Sequence, residues 1–122
     1  MALPQITEAE QKQIAEHLAQ AIRIATVSPE GGLASPETLA ALQAHLQTSF
    51  PSLHQTLQHE VVNDHGLIYI WPGQDASRKP YLLMAHKDVV PIEPGSETRW
   101  QHPPFSGAID GGFDFSGYGC VA

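Results

Sequence analysis

Cysteine is almost absent. The single Cys120 excludes an intramolecular disulfide framework. Basic residues are also scarce: 6 Lys and Arg stand against 13 Asp and Glu, for a formal net charge of −7. No Lys/Arg cluster exists to displace counterions, which excludes a phosphate-backbone binder, so no nucleic-acid partner is expected. No apolar run approaches the ~20 residues of a membrane-spanning helix. The start, MALPQITEAEQ, has no basic segment followed by an apolar one. No secretory leader is therefore predicted, and a cytoplasmic location is the expectation. There is no internal repeat or low-complexity tract. What remains is a chain of 122 residues, 42% hydrophobic, of the size and composition of one globular domain.

A first helix is predicted from about residue 7 to 25. Thr7 and Glu10 make a Thr-x-x-Glu capping box, and Ile14, Leu18, Ile22 and Ala25 follow at helical spacing. The stretch TVSPEGG then reads as turn chemistry that ends the helix. A second helix starts at Ser35 as N-cap, with Pro36 at its first position and Leu39, Leu42, Leu46 and Phe50 on one side. Pro51 falls just past its end. From Thr56 the period changes to two, and a strand around His59 and Val61 pairs with a second over residues 67–71, through the turn Asn63-Asp64-His65-Gly66. His45, His54, His59 and His65 match no ordinary ligand spacing and read as surface polar residues. Farther on, Trp100 and Phe105 anchor a stiff loop around Pro103 and Pro104. Ala108 and Ile109 then pair with residues 113–115 in a short hairpin.

The most informative stretch is YLLMAHKD, residues 81–88. Five uncharged residues, Tyr81 to Ala85, end abruptly on His86, Lys87 and Asp88. A short apolar run bounded by turn signals suits a strand buried on both faces. Ligands in open α/β sheets bind beyond the carboxyl ends of such strands. Residues two apart share a side of extended chain, so His86 and Asp88 share a face and Lys87 points away. In that geometry a carboxylate can hold one imidazole nitrogen and leave the other for a metal. The expected fold is α/β: two helices, then a small mixed sheet with the site at the C-terminal end of its central strand.

LLMAHKDVVPIEPGSETRWQHPPFSG closely resembles the signature segment of the peptidase family 20 metallohydrolases. These include aminoacylase, carboxypeptidase S and acetylornithine deacetylase, and the WPG…KPYLLMAH pattern resembles the carboxypeptidase S branch most. AIRIATVSPEG and SFPSLHQTLQHEVVN resemble earlier parts of the same family. The resemblance implies the N-terminal portion of a zinc-exopeptidase fold, with residues 1–122 as one partial catalytic domain. The later catalytic half and a lid or dimerisation domain would be absent. It implies two zinc ions and hydrolysis of dipeptides or N-acyl amino acids. By the family's motif His86 is a zinc ligand, and Asp88 orients it and is counted as catalytic.

Two departures stand out. Lys87 replaces a residue that is usually apolar or small. Where the family continues into Gly-Arg-Gly-x-x-Asp, whose aspartate bridges the metals, this chain has Gly117, Tyr118, Gly119, Cys120, Val121 and Ala122. The bridging aspartate, the general-base glutamate and the remaining ligands are thus missing, and the isolated chain is expected to be inactive. The alternative is a non-catalytic remnant or interaction module that pairs with another chain, with self-association through an open sheet edge. A mononuclear site from His86, His102 and a carboxylate is the least favoured reading.

Overall fold

The computed structural model describes residues 5–110 and 114–116. The order is α1 (Glu8–Arg23), α2 (Pro36–Ser49), α3 (Pro51–Thr56), β1 (Gln58–Val62), β2 (Gly66–Ile70), a 3₁₀ turn (Glu97–Arg99), β3 (Ala108–Asp110) and β4 (Asp114–Ser116). The expectations about Gly117 to Ala122, including the missing bridging aspartate, and the one that placed Phe113 in a strand lie outside the described residues.

The capping box forms as predicted. Thr7 Oγ1 accepts from the Glu10 amide at 3.3 Å, and the Glu10 carboxylate accepts from the Thr7 amide at 2.8 Å. Its buried residues are not the large ones. Ala15 and Ala19 are covered, whereas Ile14 and Leu18 are 53% and 45% exposed. Small residues fit there because other backbone comes close. The loop around Pro103 runs along α1, and Arg23 donates through Nε to the Ser106 carbonyl and through Nη2 to the Gly107 carbonyl, each at 3.1 Å. Gly107 has φ +58°, and a Cβ there would run into the Ala19 carbonyl oxygen.

Helix α2 begins as predicted, with Ser35 Oγ accepting from the Thr38 amide and Pro36 in the first turn. It buries Leu39 and Leu42. His45 ties it to α1, its Nε2 donating to the His17 carbonyl at 2.9 Å. Beyond Ser49 the helical path does not simply stop. Pro51 disfavours helical geometry at Phe50, which sits at φ −127°, ψ 57°, and then serves as the first residue of α3. The sequence reading missed this short helix.

β1 and β2 form the predicted antiparallel hairpin, from Gln58 opposite Ile70 to Val62 opposite Gly66. Its turn puts Asn63 and Asp64 at φ 49° and 65°, a left-handed pair that short polar side chains tolerate. Burial alternates along β2, with Leu67 and Tyr69 half-buried. β3 and β4 make a second antiparallel pair.

The chain is thus α/β, but residues 81–85 depart from expectation. Among the described residues they make no strand pairing, and Tyr81, Leu82, Leu83 and Met84 are 98%, 80%, 93% and 85% exposed. The described strands form two separate two-stranded antiparallel sheets, not one mixed sheet; the parallel element is a single bridge between Val27 and Val89. An apolar run states what a segment would bury, but burial on two faces needs neighbours on both. Among the described residues the buried apolar ones are Ala15, Ala19, Ala34, Leu39 and Leu42, a small core in the helices and the loop between them. No helix among the described residues is long and apolar enough to cross a membrane.

Candidate functional site

His86, Lys87 and Asp88 follow the exposed apolar stretch directly, and it is the loop after α1 that fixes them. Val89 donates its amide to the Thr26 carbonyl at 3.0 Å, and Ser28 donates its own to the Val89 carbonyl at 2.8 Å. The Thr26 hydroxyl, on a buried residue, donates to the Lys87 carbonyl at 2.9 Å. Residues 87–89 are therefore clamped along their backbone by residues 26–28.

The His86 ring then has a defined orientation. Its Nδ1 lies 2.7 Å from the Asp88 backbone carbonyl and 3.4 Å from Asp88 Oδ1. A carbonyl only accepts, so Nδ1 carries a proton, and in the neutral ring the lone pair is on Nε2. The side chain is 83% exposed, and Nε2 faces outward from this anchor. The sequence reading placed the carboxylate behind the imidazole; the structure puts the Asp88 carbonyl closer and the carboxylate second.

Asp88 is held in turn. Ser28 Oγ donates to Asp88 Oδ2 at 2.6 Å. That bond first, then the residue's own amide and the nearby His86 ring, hold the carboxyl below the ordinary carboxylate range. Neither Ser28 nor Thr26 was singled out from sequence. The one signal available was a Thr-x-Ser pattern, which local reasoning reads as a turn.

Lys87 turns the other way, as strand alternation predicts. Its Nζ is buried and makes no hydrogen bond, and burial pushes the amine below its ordinary value. It lines a cavity of about 190 Å³ with Ser28, Leu33, Ala34, Leu39, His65, Gly66 and Asp88. A larger hollow of about 580 Å³ lies beside it, where Leu67 and Tyr69 of β2 approach Ala85, His86 and Asp88.

Of the other histidines, His65 lines the same cavity as Lys87 and Asp88. His54 bonds the Phe50 carbonyl through Nδ1 and the Tyr69 hydroxyl through Nε2, each at 2.9 Å, and packs edge-on against His59. Among the described residues no group of three or more His, Cys, Asp or Glu is gathered that could hold a metal ion, so His86, His102 and a carboxylate form no such cluster. A catalytic zinc takes three protein ligands. The described residues gather no such set and do not by themselves fit a zinc centre.

No family model matches the chain, and no solved structure matches it. Curated proteins do. Together with the signature segment around His86, they place the chain in the peptidase family 20 hydrolases. It is 40% identical to carboxypeptidase S of Saccharomyces cerevisiae, over 82% of this chain and 18% of that protein. It is also 40% identical to the N-fatty-acyl-amino acid synthase/hydrolase PM20D1 of Mus musculus, over 89% of this chain and 22% of that protein. Probable carboxypeptidase S-like 2 of Dictyostelium discoideum is 38% identical, over 80% and 19%. The chain spans about a fifth of the length of the curated relatives it matches.

Proposed function

We propose that this chain supplies the first metal-ligand segment of a zinc-dependent hydrolase that cleaves the amide bond of a dipeptide or an N-acyl amino acid. The observation that carries the reading is the held His86 ring: Nδ1 is tied to Asp88, and the Nε2 lone pair is left for a metal. Metal-binding imidazoles are commonly oriented by a second partner on the opposite nitrogen. The relatives' names, carboxypeptidase and acyl-amino acid hydrolase, supply the substrate classes. In this reading His86 is one zinc ligand, Asp88 fixes its tautomer, and the other ligands and the general base come from polypeptide other than the described residues. The chain assayed alone with zinc then hydrolyses neither substrate class.

A graft tests the proposal. Residues 58–106 of this chain replace the matching segment of yeast carboxypeptidase S, and peptide hydrolysis is assayed. The expected result is retained hydrolysis that His86→Ala abolishes. A graft that folds and works equally well with His86→Ala would overturn the proposal.

The bare apolar stretch at residues 81–84 favours a second reading, in which the chain acts by pairing with another polypeptide. Light scattering distinguishes the two: a concentration-dependent dimer that Leu83→Lys dissolves supports pairing with a second copy, and a monomer at all concentrations removes that form of it.

A further inference from the structure

The Ser28 hydroxyl has one proton and two neighbours. The Ala34 amide donates to Ser28 Oγ at 2.9 Å, so the oxygen is already an acceptor there, and its proton goes to Asp88 Oδ2 at 2.6 Å. The other carboxylate oxygen, Oδ1, then lies 3.4 Å from His86 Nδ1, beside the Asp88 carbonyl at 2.7 Å. Ser28 is itself fixed, because its amide is bonded to the Val89 carbonyl at 2.8 Å. The contact joins residues sixty positions apart and is partly buried, which shields it from competing water.

We propose that Ser28 is a positioning residue of the His86 site. Its hydroxyl locks the Asp88 carboxylate with Oδ1 toward His86 Nδ1, and so keeps the ring proton on Nδ1 and the lone pair on Nε2. Ser28 acts only through Asp88. Its importance for catalysis rests on the hydrolase reading; the hydrogen-bond chain does not. Ala34 immediately precedes the N-cap of α2, so the same chain links the start of that helix to the histidine.

The test uses the full chain, isotope-labelled, with neither metal nor substrate. Long-range proton–nitrogen spectra report which His86 nitrogen carries the proton at a pH where the ring is neutral. In the wild type the Nδ1–H form is expected to dominate. Ser28→Ala is expected to lower the ratio of Nδ1–H to Nε2–H by roughly three- to tenfold, the worth of one modest hydrogen bond. Ser28→Thr, which keeps the hydroxyl, is expected to restore it. Should Ser28→Ala not fold, Ser28→Cys keeps the volume with a weak donor and is expected to shift the ratio the same way. A folded Ser28→Ala or Ser28→Cys chain with the wild-type ratio overturns the proposal, as does Ser28→Thr shifting as far as Ser28→Ala. The readout involves no hydrolysis, so failure of the carboxypeptidase graft and failure of this proposal are separate results.

Discussion

Replacing Lys87 by methionine should make the chain more stable. The Lys87 amine is buried without a hydrogen-bond partner. The cavity around it is lined by Leu33, Ala34 and Leu39 as well as Ser28, His65 and Asp88, and the amine bonds none of them. A buried polar group left unsatisfied costs about 1–3 kcal/mol, and more if it stays charged. Methionine keeps the unbranched reach of the lysine stem and brings a side chain that adapts to irregular gaps. The expected gain for Lys87→Met at pH 7 is therefore about 1–3 kcal/mol. In a domain of this size each kcal/mol moves the melting temperature by about 4 °C. Thermal and urea unfolding followed by circular dichroism would measure it. The pH dependence gives an independent check. Burial lowers the folded amine below its ordinary 10.5. The unfolded chain therefore holds that proton more tightly, and the penalty is full below the folded value. It fades as pH rises through that value toward 10.5. The gap between variant and wild type should narrow in the same direction. A Lys87→Met chain no more stable than the wild type at pH 7, or a gap indifferent to alkaline pH, would refute the reasoning.

Other expectations follow from equally local features. Gly107→Ala would place a methyl group against the Ala19 carbonyl at a left-handed backbone position, and is expected to cost about 2–4 kcal/mol in urea unfolding. Ser35→Ala removes the cap of α2 and should cost about 1 kcal/mol in the same assay. The Asp88 carboxyl lies below its ordinary 3.8 when folded, so its contribution to stability is present above that value and is lost as pH falls through the folded value. Acid unfolding of Ser28→Ala should show a shallower loss over that window, because the Ser28 bond is the largest cause of the lowering.

What could be read from the sequence was mostly what is settled within a few residues. Thr7 with Glu10, Ser35 with Pro36, and the turn at Asn63 and Asp64 each satisfy their backbone locally, and all three lie where the residue pattern puts them. The alternation that sends His86 outward and Lys87 inward is local too, and it held even without a paired strand. The misreadings came from contacts made at a distance. Ala19 is covered where the Gly107 backbone presses on α1 from a loop far along the chain, while Leu18 beside it stays 45% exposed. Ser28 looked like turn chemistry because its partner, Asp88, is sixty residues away. Residues 81–85 were expected to be buried because they are apolar, yet hydrophobicity does not say which segment covers them. The family resemblance pointed to His86 and Asp88, but not to the carbonyl of Asp88 as the nearest partner of the ring.

In the proposed site His86 offers Nε2, and only Nε2, to a metal. A zinc titration of the isotope-labelled chain, read at both ring nitrogens of every histidine, tests it directly. Zinc, bound weakly through this one ligand, is expected to move His86 Nε2 first while Nδ1 keeps its proton. Zinc that moves His86 Nδ1, or that gathers at His54 and His59 and leaves His86 unchanged, would contradict it.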